Sequence, residues 1–267
     1  VDKIASIPSG SLFYRDKGAG NPTMLLHGFA EDSTVWDNQI EPLSRSCRLI
    51  VPDLPGSGRS SAINPAISME NLATVVKDLL DDLKIDQCTL IGHSMGGYVA
   101  LAFAALYPGR LKAFGLFHST AYPDSEEKKA TRRKAIDFIR AHGSAPFIRQ
   151  STPNLFSAYT REHRPQLIET TIANYSGLAP ESLIAYYEAM IARPDRTDIL
   201  REFPRPVLFI IGQDDNVIPM QQALQQCYLP SISHLHILKN TGHLAMLEDP
   251  EKCNQLLRDF INFVSRI

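Results

Sequence analysis

A serine with a glycine two residues before it and another two residues after it stands at Gly92-His93-Ser94-Met95-Gly96. The apolar run Thr89–Ile91 precedes it and predicts a strand. Tyr98–Tyr107, Ala-rich and apolar nearly all round, follows and predicts a buried helix. A sharp strand-to-helix turn forces the serine into a crowded backbone conformation, and the two glycines remove the side chains that would clash there. The hydroxyl then projects above the sheet at the positive end of the following helix, where it is suited to nucleophilic attack. The bland alternative is a glycine-rich turn with no chemistry.

A nucleophilic serine needs a base and the base an orienting acid. Thr241-Gly242-His243 falls between the last predicted strand and the last helix, which puts His243 in a loop at the carboxyl end of a sheet. Of the other histidines, His142 and His163 read as solvated, and His234 and His236 as flanking or lining a strand. His27 reads as a prop for a Gly-rich turn and His93 as packed within the serine turn. His118 ends a strand near the site and is a candidate substrate contact, with a structural role as the competing reading. Gly212-Gln213-Asp214-Asp215-Asn216-Val217-Ile218-Pro219 offers two adjacent carboxylates, of which only one can point at His243.

The elements that must hold these groups alternate along the first half of the chain. Ser11–Arg15 reads as an edge strand, Thr23–Leu26, Arg48–Val51 and Leu111–Phe117 as apolar strands, and Thr34–Leu43 as a helix. Ser68 caps a helix whose Leu72, Val75, Val76, Leu79 and Leu80 form one face. Strands separated by helices predict a mostly parallel sheet covered on both faces. The rhythm stops between Tyr122 and Phe203, where Glu126–Ala141, Pro165–Tyr175 and Pro180–Ala192 read as helices. It resumes at Pro206–Ile211 and Leu235–Leu238, and a last helix starts at Asp249-Pro250. The expected organisation is therefore an α/β core over 1–120 and 204–267, with a helical insertion over 121–203.

Composition narrows the class. The 267 residues are 44% hydrophobic and 21% charged, as in globular proteins. Lys+Arg 27 against Asp+Glu 29 leaves no basic excess, so no nucleic-acid partner is expected. No apolar run reaches about 18 residues, so no membrane span is expected. The N-terminal stretch has no secretory apolar region. Cys47, Cys88, Cys227 and Cys253 lack metal-site spacing and read as free thiols, and the expected location is cytoplasmic. The basic cluster Lys128, Lys129, Arg132, Arg133 and Lys134 reads as a solvated helix face.

The chain resembles the α/β-hydrolase superfamily almost end to end, in its serine-nucleophile, esterase- and lactonase-like branch with a helical cap. The resemblance rests on His27-Gly28-Phe29, Asp53-Leu54-Pro55-Gly56-Ser57-Gly58-Arg59-Ser60, Gly92 to Gly97, Gly212 to Pro219 and Gly242-His243. It implies a triad in the chain order Ser94, Asp215, His243. In the family's acid loop the aspartate lies three residues after the glycine and four before the proline, which favours Asp215 over Asp214. It implies an oxyanion hole from the backbone N–H groups of Phe29 and Met95. It also implies a cap over the site at 121–203, with Phe29, His118, Tyr122, Tyr159 and Tyr187 as candidate substrate contacts.

The activity implied is hydrolysis of small, mostly apolar carboxylic esters or lactones through an acyl-enzyme, with no metal or organic cofactor, by a monomer or homodimer. Carbon–carbon bond hydrolases and cofactor-free perhydrolases carry the same triad. A slow-turnover ligand receptor of this fold is the alternative outside the enzymes. An Asp-nucleophile dehalogenase or epoxide hydrolase is disfavoured by Ser94.

Overall fold

The computed structural model describes residues 1–8, 10–61 and 67–267. Eight strands form one sheet: β1 (Asp2–Ile7), β2 (Gly10–Lys17), β3 (Pro22–Leu26), β4 (Arg48–Pro52), β5 (Cys88–His93), β6 (Leu111–Phe117), β7 (Val207–Gly212) and β8 (Ser233–Leu238), in the spatial order β1-β2-β4-β3-β5-β6-β7-β8. β1 and β2 pair antiparallel, as do β2 and β4, and the remaining pairs are parallel. β2, read from sequence as an edge, is second from the edge. β1 lies outside it, and its alternation was faint because an edge strand buries only part of one face, here Ala5 and Ile7.

Helices α1 (Asp37–Leu43), α2 (Met69–Asp82) and α3 (Met95–Leu106) connect the first six strands. Between β6 and β7 come α4 (Glu126–His142), α5 (Ser144–Ser151), α6 (Ala158–His163), α7 (Pro165–Tyr175), α8 (Pro180–Ala192) and α9 (Thr197–Glu202). α10 (Met220–Leu224), α11 (Ala245–Glu248) and α12 (Pro250–Val264) complete the chain. The short α5, α6 and α9 escaped the sequence reading because six to eight residues give too few turns to show a period.

One core layer packs α2 and α3 on the sheet through Leu72, Val76, Leu79, Val99 and Phe103. The other packs α1 and α12 through Leu43, Leu257, Phe260 and Ile261. β5 and β7 are buried along their whole length, as a doubly covered sheet requires. Among the described residues no helix is long and apolar enough to cross a membrane.

Register brings the chemistry together. Leu26 pairs with Gly92, His93 with Phe117, and Phe117 with Ile210. The ends of β3, β5, β6 and β7 therefore finish side by side, and His27, Ser94, His118 and the loop after Gly212 emerge at one carboxyl edge of the sheet.

Candidate active site

Ser94 sits between β5 and α3 with φ 50° and ψ −113°, a conformation L-residues rarely adopt. Its N–H donates to Phe117 O (2.9 Å), and its carbonyl accepts from Gly97 N–H (2.9 Å) and Ser119 Oγ (2.7 Å). These bonds hold a turn that costs on the order of 1–3 kcal/mol to strain. A Cβ on Gly92 would lie 2.1 Å from Gly96 C and O, and one on Gly96 would lie 2.6 Å from His27 O. Both flanking positions thus exclude any side chain.

Asp215 is buried in the loop after β7 and is fully supplied with donors. Oδ1 accepts from Val217 N–H (2.8 Å) and Ile218 N–H (2.9 Å), and Oδ2 faces His243 Nδ1 (2.8 Å) and His118 Nδ1 (3.1 Å). Burial alone would raise its pKa, but the two histidines and their hydrogen bonds hold it far below the usual carboxylate range. Asp214 is half-buried at the outer rim, with its backbone N–H on Thr241 O.

His243 presents Nδ1 to Asp215 and lines the same cavity as Ser94. Among the described residues Ser94 and His243 share no hydrogen bond; in unliganded sites such bonds are often long and tighten only around substrate. The His243 loop is held from behind, its own N–H donating to Leu155 O (2.7 Å).

His118 is not a substrate contact. It is buried, has φ 50°, and turns Nδ1 toward Asp215 Oδ2 and Gly212 N. One nitrogen cannot both donate to the carboxylate and accept from Gly212. We assign the proton to Nδ1, because a charge-assisted bond to the buried anion outweighs the weaker contact. Desolvation lowers its pKa to about 4, so the ring is neutral at pH 7. His118, Asp215 and His243 are also the described residues close enough to share a cation. Here that proximity is taken up by hydrogen bonds converging on one carboxylate.

A cavity of about 260 Å³ opens over Ser94. Phe29, Phe147, Tyr175, Tyr187, Met190 and Leu244 give it an apolar lining, with Glu31 and Arg132 as its charged members. Phe29 and Tyr187 pack with ring centroids 4.1 Å apart. Tyr122 and Tyr159 lie elsewhere. The Tyr122 hydroxyl donates to Gln225 O (3.2 Å). Tyr159 is 51% exposed and stacks on His163, because α6 turns the neighbouring Thr160 inward toward Glu248.

Sequence reasoning missed three buried charged groups around the site. Glu31 Oε2 accepts from Gly28 N–H (2.7 Å) and from His93 Nδ1 (2.9 Å), while His93 Nε2 donates to His243 O (2.9 Å). Both ring nitrogens of His93 face acceptors, so the ring carries both protons. Burial opposes that charge, but Glu31 overrides it and raises the His93 pKa, while His93 lowers that of Glu31. Glu248 accepts from Ser157 N–H, Ser157 Oγ, Thr160 Oγ1 and Gly242 N–H, tying the His243 loop to α6. Arg132, assigned from sequence to a solvated face, is only 9% exposed. The signal was available: Arg132 stands four residues before Ile136 and seven before Ile139 on the buried stripe of α4.

Comparison with known proteins places this geometry. Residues 21–250 match the model of the alpha/beta hydrolase fold family. A Paraburkholderia phymatum protein named 2-hydroxy-6-oxononadienedioate/2-hydroxy-6-oxononatrienedioate hydrolase is 30% identical over 93% of this chain and 90% of its own. A thermophilic esterase from Thermogutta terrifontis, solved with malate bound, superposes with a TM-score of 0.93 at 32% identity over 99% of both chains. The enol-lactonase of Burkholderia xenovorans LB400 shares the fold, with a TM-score of 0.89 at 24% identity over 97% of this chain and 100% of its own. With a family match across most of its length and a hydrolase relative aligned nearly end to end, the chain belongs to the α/β-hydrolase family.

Proposed function

We propose that this protein is a serine hydrolase that breaks a bond at the carbonyl carbon of a small substrate through an acyl-enzyme. The observation that carries this is Ser94, strained and glycine-flanked, facing the same cavity as a His243 whose Nδ1 is fixed on a buried, ionised Asp215. His243 Nε2 takes the Ser94 proton as Oγ attacks, and returns it to the leaving group. Water then repeats the cycle on the acyl-serine. Met95 opens α3, so its N–H is free of intrahelical partners and, with that of Phe29, receives the developing oxyanion. The helices α4–α9 act as the cap that shapes the cavity, with Phe29 and Tyr187 as its substrate contacts.

The relatives bear on which bond breaks. The curated relatives named as hydrolases of 2-hydroxy-6-oxo dienoates favour cleavage of a carbon–carbon bond beside a carbonyl. A carbon leaving group departs as an enolate, so such a substrate carries a second, conjugated carbonyl to receive the electron pair. This reading moves ahead of the ester or lactone reading that the sequence favoured. The second reading keeps its own support in the esterase of Thermogutta terrifontis.

The test is a turnover panel of vinylogous 1,5-diketone acids, alkyl esters of graded length and lactones, on the wild type beside Ser94→Ala. A fluorophosphonate adduct located by mass spectrometry accompanies it. Multiple turnover lost in Ser94→Ala, with the adduct on Ser94, is expected. A single stalled burst would point to a receptor, and an adduct elsewhere would remove the assignment.

A further inference from the structure

A guanidinium has five N–H donors in a planar fork, and Arg132 spends only part of its fork on the protein. Nε donates to Asp124 Oδ2 (2.6 Å), and Nη2 approaches Asp124 Oδ1 (3.4 Å). The Tyr187 ring lies 5.4 Å from the guanidinium carbon. Nη1 donates to no protein group among the described residues, and the residue lines the cavity that holds Ser94 and His243.

The charge around it does not balance. Asp124, fully buried at its side chain, also accepts from Arg193 Nη2 (3.0 Å). Two guanidinium groups on one carboxylate leave one positive charge over. Arg193 spends its Nη donors on Met190 O (2.8 Å), Tyr122 O (3.1 Å) and Asp124, lies 3.9 Å from the Tyr98 ring, and keeps its Nε, unpartnered among the described residues, buried away from the cavity that holds Ser94. The surplus is therefore displayed by Arg132, the member that reaches the cavity. Glu31 lines the same cavity, but its carboxylate is committed to His93 and Gly28. An uncompensated buried cation is costly, and an incoming anion removes that cost.

We propose that Arg132 anchors a carboxylate borne by the substrate in addition to the carbonyl that Ser94 attacks. This deepens the hydrolase reading and rests on it. The substrates are then half-esters or keto acids carrying one free carboxylate, rather than the mostly apolar esters or lactones the sequence suggested. Arg132 is a specificity residue and takes no part in bond breaking.

Calorimetry on Ser94→Ala separates this from the turnover question, because binding is read without chemistry. The probes are monomethyl succinate and dimethyl succinate at pH 7. The half-ester should bind at least about 10-fold more tightly, the range expected for a charge-assisted pair. The preference should vanish in Ser94→Ala/Arg132→Met, where Asp124 and Arg193 remain a balanced pair. Should that protein fail to fold, Arg132→Lys keeps the charge but loses the planar fork, and the preference should shrink without disappearing. With Ser94 present, Arg132→Met should lower the ratio of kcat/KM for the half-ester to that for the diester by about 10- to 100-fold. Equal binding of the two probes to Ser94→Ala overturns the proposal, as does a preference that survives in the Met or Lys variant at full size. Half-ester preference in a protein that turns over neither these probes nor any member of the diketone-acid, ester and lactone panel would leave Arg132 standing and remove the hydrolase reading instead.

Discussion

Replacing Asp215 with asparagine changes one oxygen to an amide nitrogen, and the surrounding bonds dictate which. Oδ1 accepts two backbone N–H groups, Val217 at 2.8 Å and Ile218 at 2.9 Å, which cannot reverse. The amide oxygen must stay there, and the NH₂ takes the Oδ2 position, facing His243 Nδ1 at 2.8 Å and His118 Nδ1 at 3.1 Å. Both imidazoles must then present a lone pair. His118 tolerates this, because Gly212 N–H already sits 3.2 Å from its Nδ1. His243 does not, since its proton moves to Nε2, the nitrogen that has to accept from Ser94. An unreactive tautomer of this kind costs roughly 10⁴ in kcat, about 5 kcal/mol of barrier. Steady-state turnover and the fluorophosphonate labelling rate at neutral pH should both fall by that order, with the fold kept because the Oδ1 bonds survive. Asp214→Asn should stay within about threefold, since that side chain makes no bond to either histidine. An Asp215→Asn protein retaining a tenth of wild-type labelling, or a larger loss in Asp214→Asn, would refute the assignment.

Three further outcomes follow from the same contacts. His118 is neutral when folded, with a pKa of about 4 against an ordinary 6.5, so the unfolded chain binds the extra proton between those values. Stability should fall by on the order of 3 kcal/mol as pH drops through that window, and urea unfolding of His118→Gln should show that part of the acid decline removed; an unchanged decline contradicts it. His93 behaves oppositely: its raised pKa adds stability below pH 6.5 that is lost as pH climbs through the folded value. Imidazole NMR should find His93 titrating above 6.5 in the wild type and lower in Glu31→Gln, and a wild-type value below 6.5 would undo the ion pair. Tyr187→Ala opens the cavity beside Phe29 and should shift relative rates toward longer acyl chains by roughly tenfold, about 1.4 kcal/mol. Tyr159→Ala, altering an exposed stack on His163, should leave the chain-length profile where it was.

How much of this was legible in the sequence depends on whether a feature is local. The serine turn is local: its strand, glycines and helix all lie between Cys88 and Leu106, and the steric exclusion at Gly92 and Gly96 follows from spacing alone. The central strands were legible because they are buried on both faces and read as unbroken apolar runs. Spacing gives the buried stripe of an inserted helix such as α4, but not which of its residues line the cavity, because their neighbours there come from other elements. Tyr187 faces Phe29 and Phe147 while Tyr186, one position earlier, is buried with its hydroxyl against Ser57. Neither contact leaves a periodic trace. His118 failed for the same reason: its place at the end of β6 was evident, but its direction is set by Asp215 from the neighbouring β7 loop.

The braces around the site divide the inserted helices into two unequal parts. The stretch from Leu155 to Arg164 is bound to the His243 loop by Leu155 O, by the bonds converging on Glu248 and by Arg164 on Glu248 O (2.7 Å). Buried charge with this many partners is expensive to break. Among the described residues α7 and α8 reach the core through neutral contacts alone: Tyr175 hydroxyl to Thr34 (3.2 Å), Tyr186 hydroxyl to Ser57 (3.3 Å) and Pro55 O, each worth about 1 kcal/mol net, and the apolar packing of Ile172, Tyr186 and Met190. α4 lies between these extremes, with Lys128 Nζ on the carbonyl of Val217 (2.7 Å), the same residue whose N–H donates to Asp215. Entry of substrate by parting α7 and α8 from the core therefore disturbs neither the acid nor the base. Entry by lifting α6 would pull directly on His243. Hydrogen exchange should therefore be faster across α7 and α8 than across α6 and the His243 loop, and equal protection of the two parts would contradict the division that these bonds make.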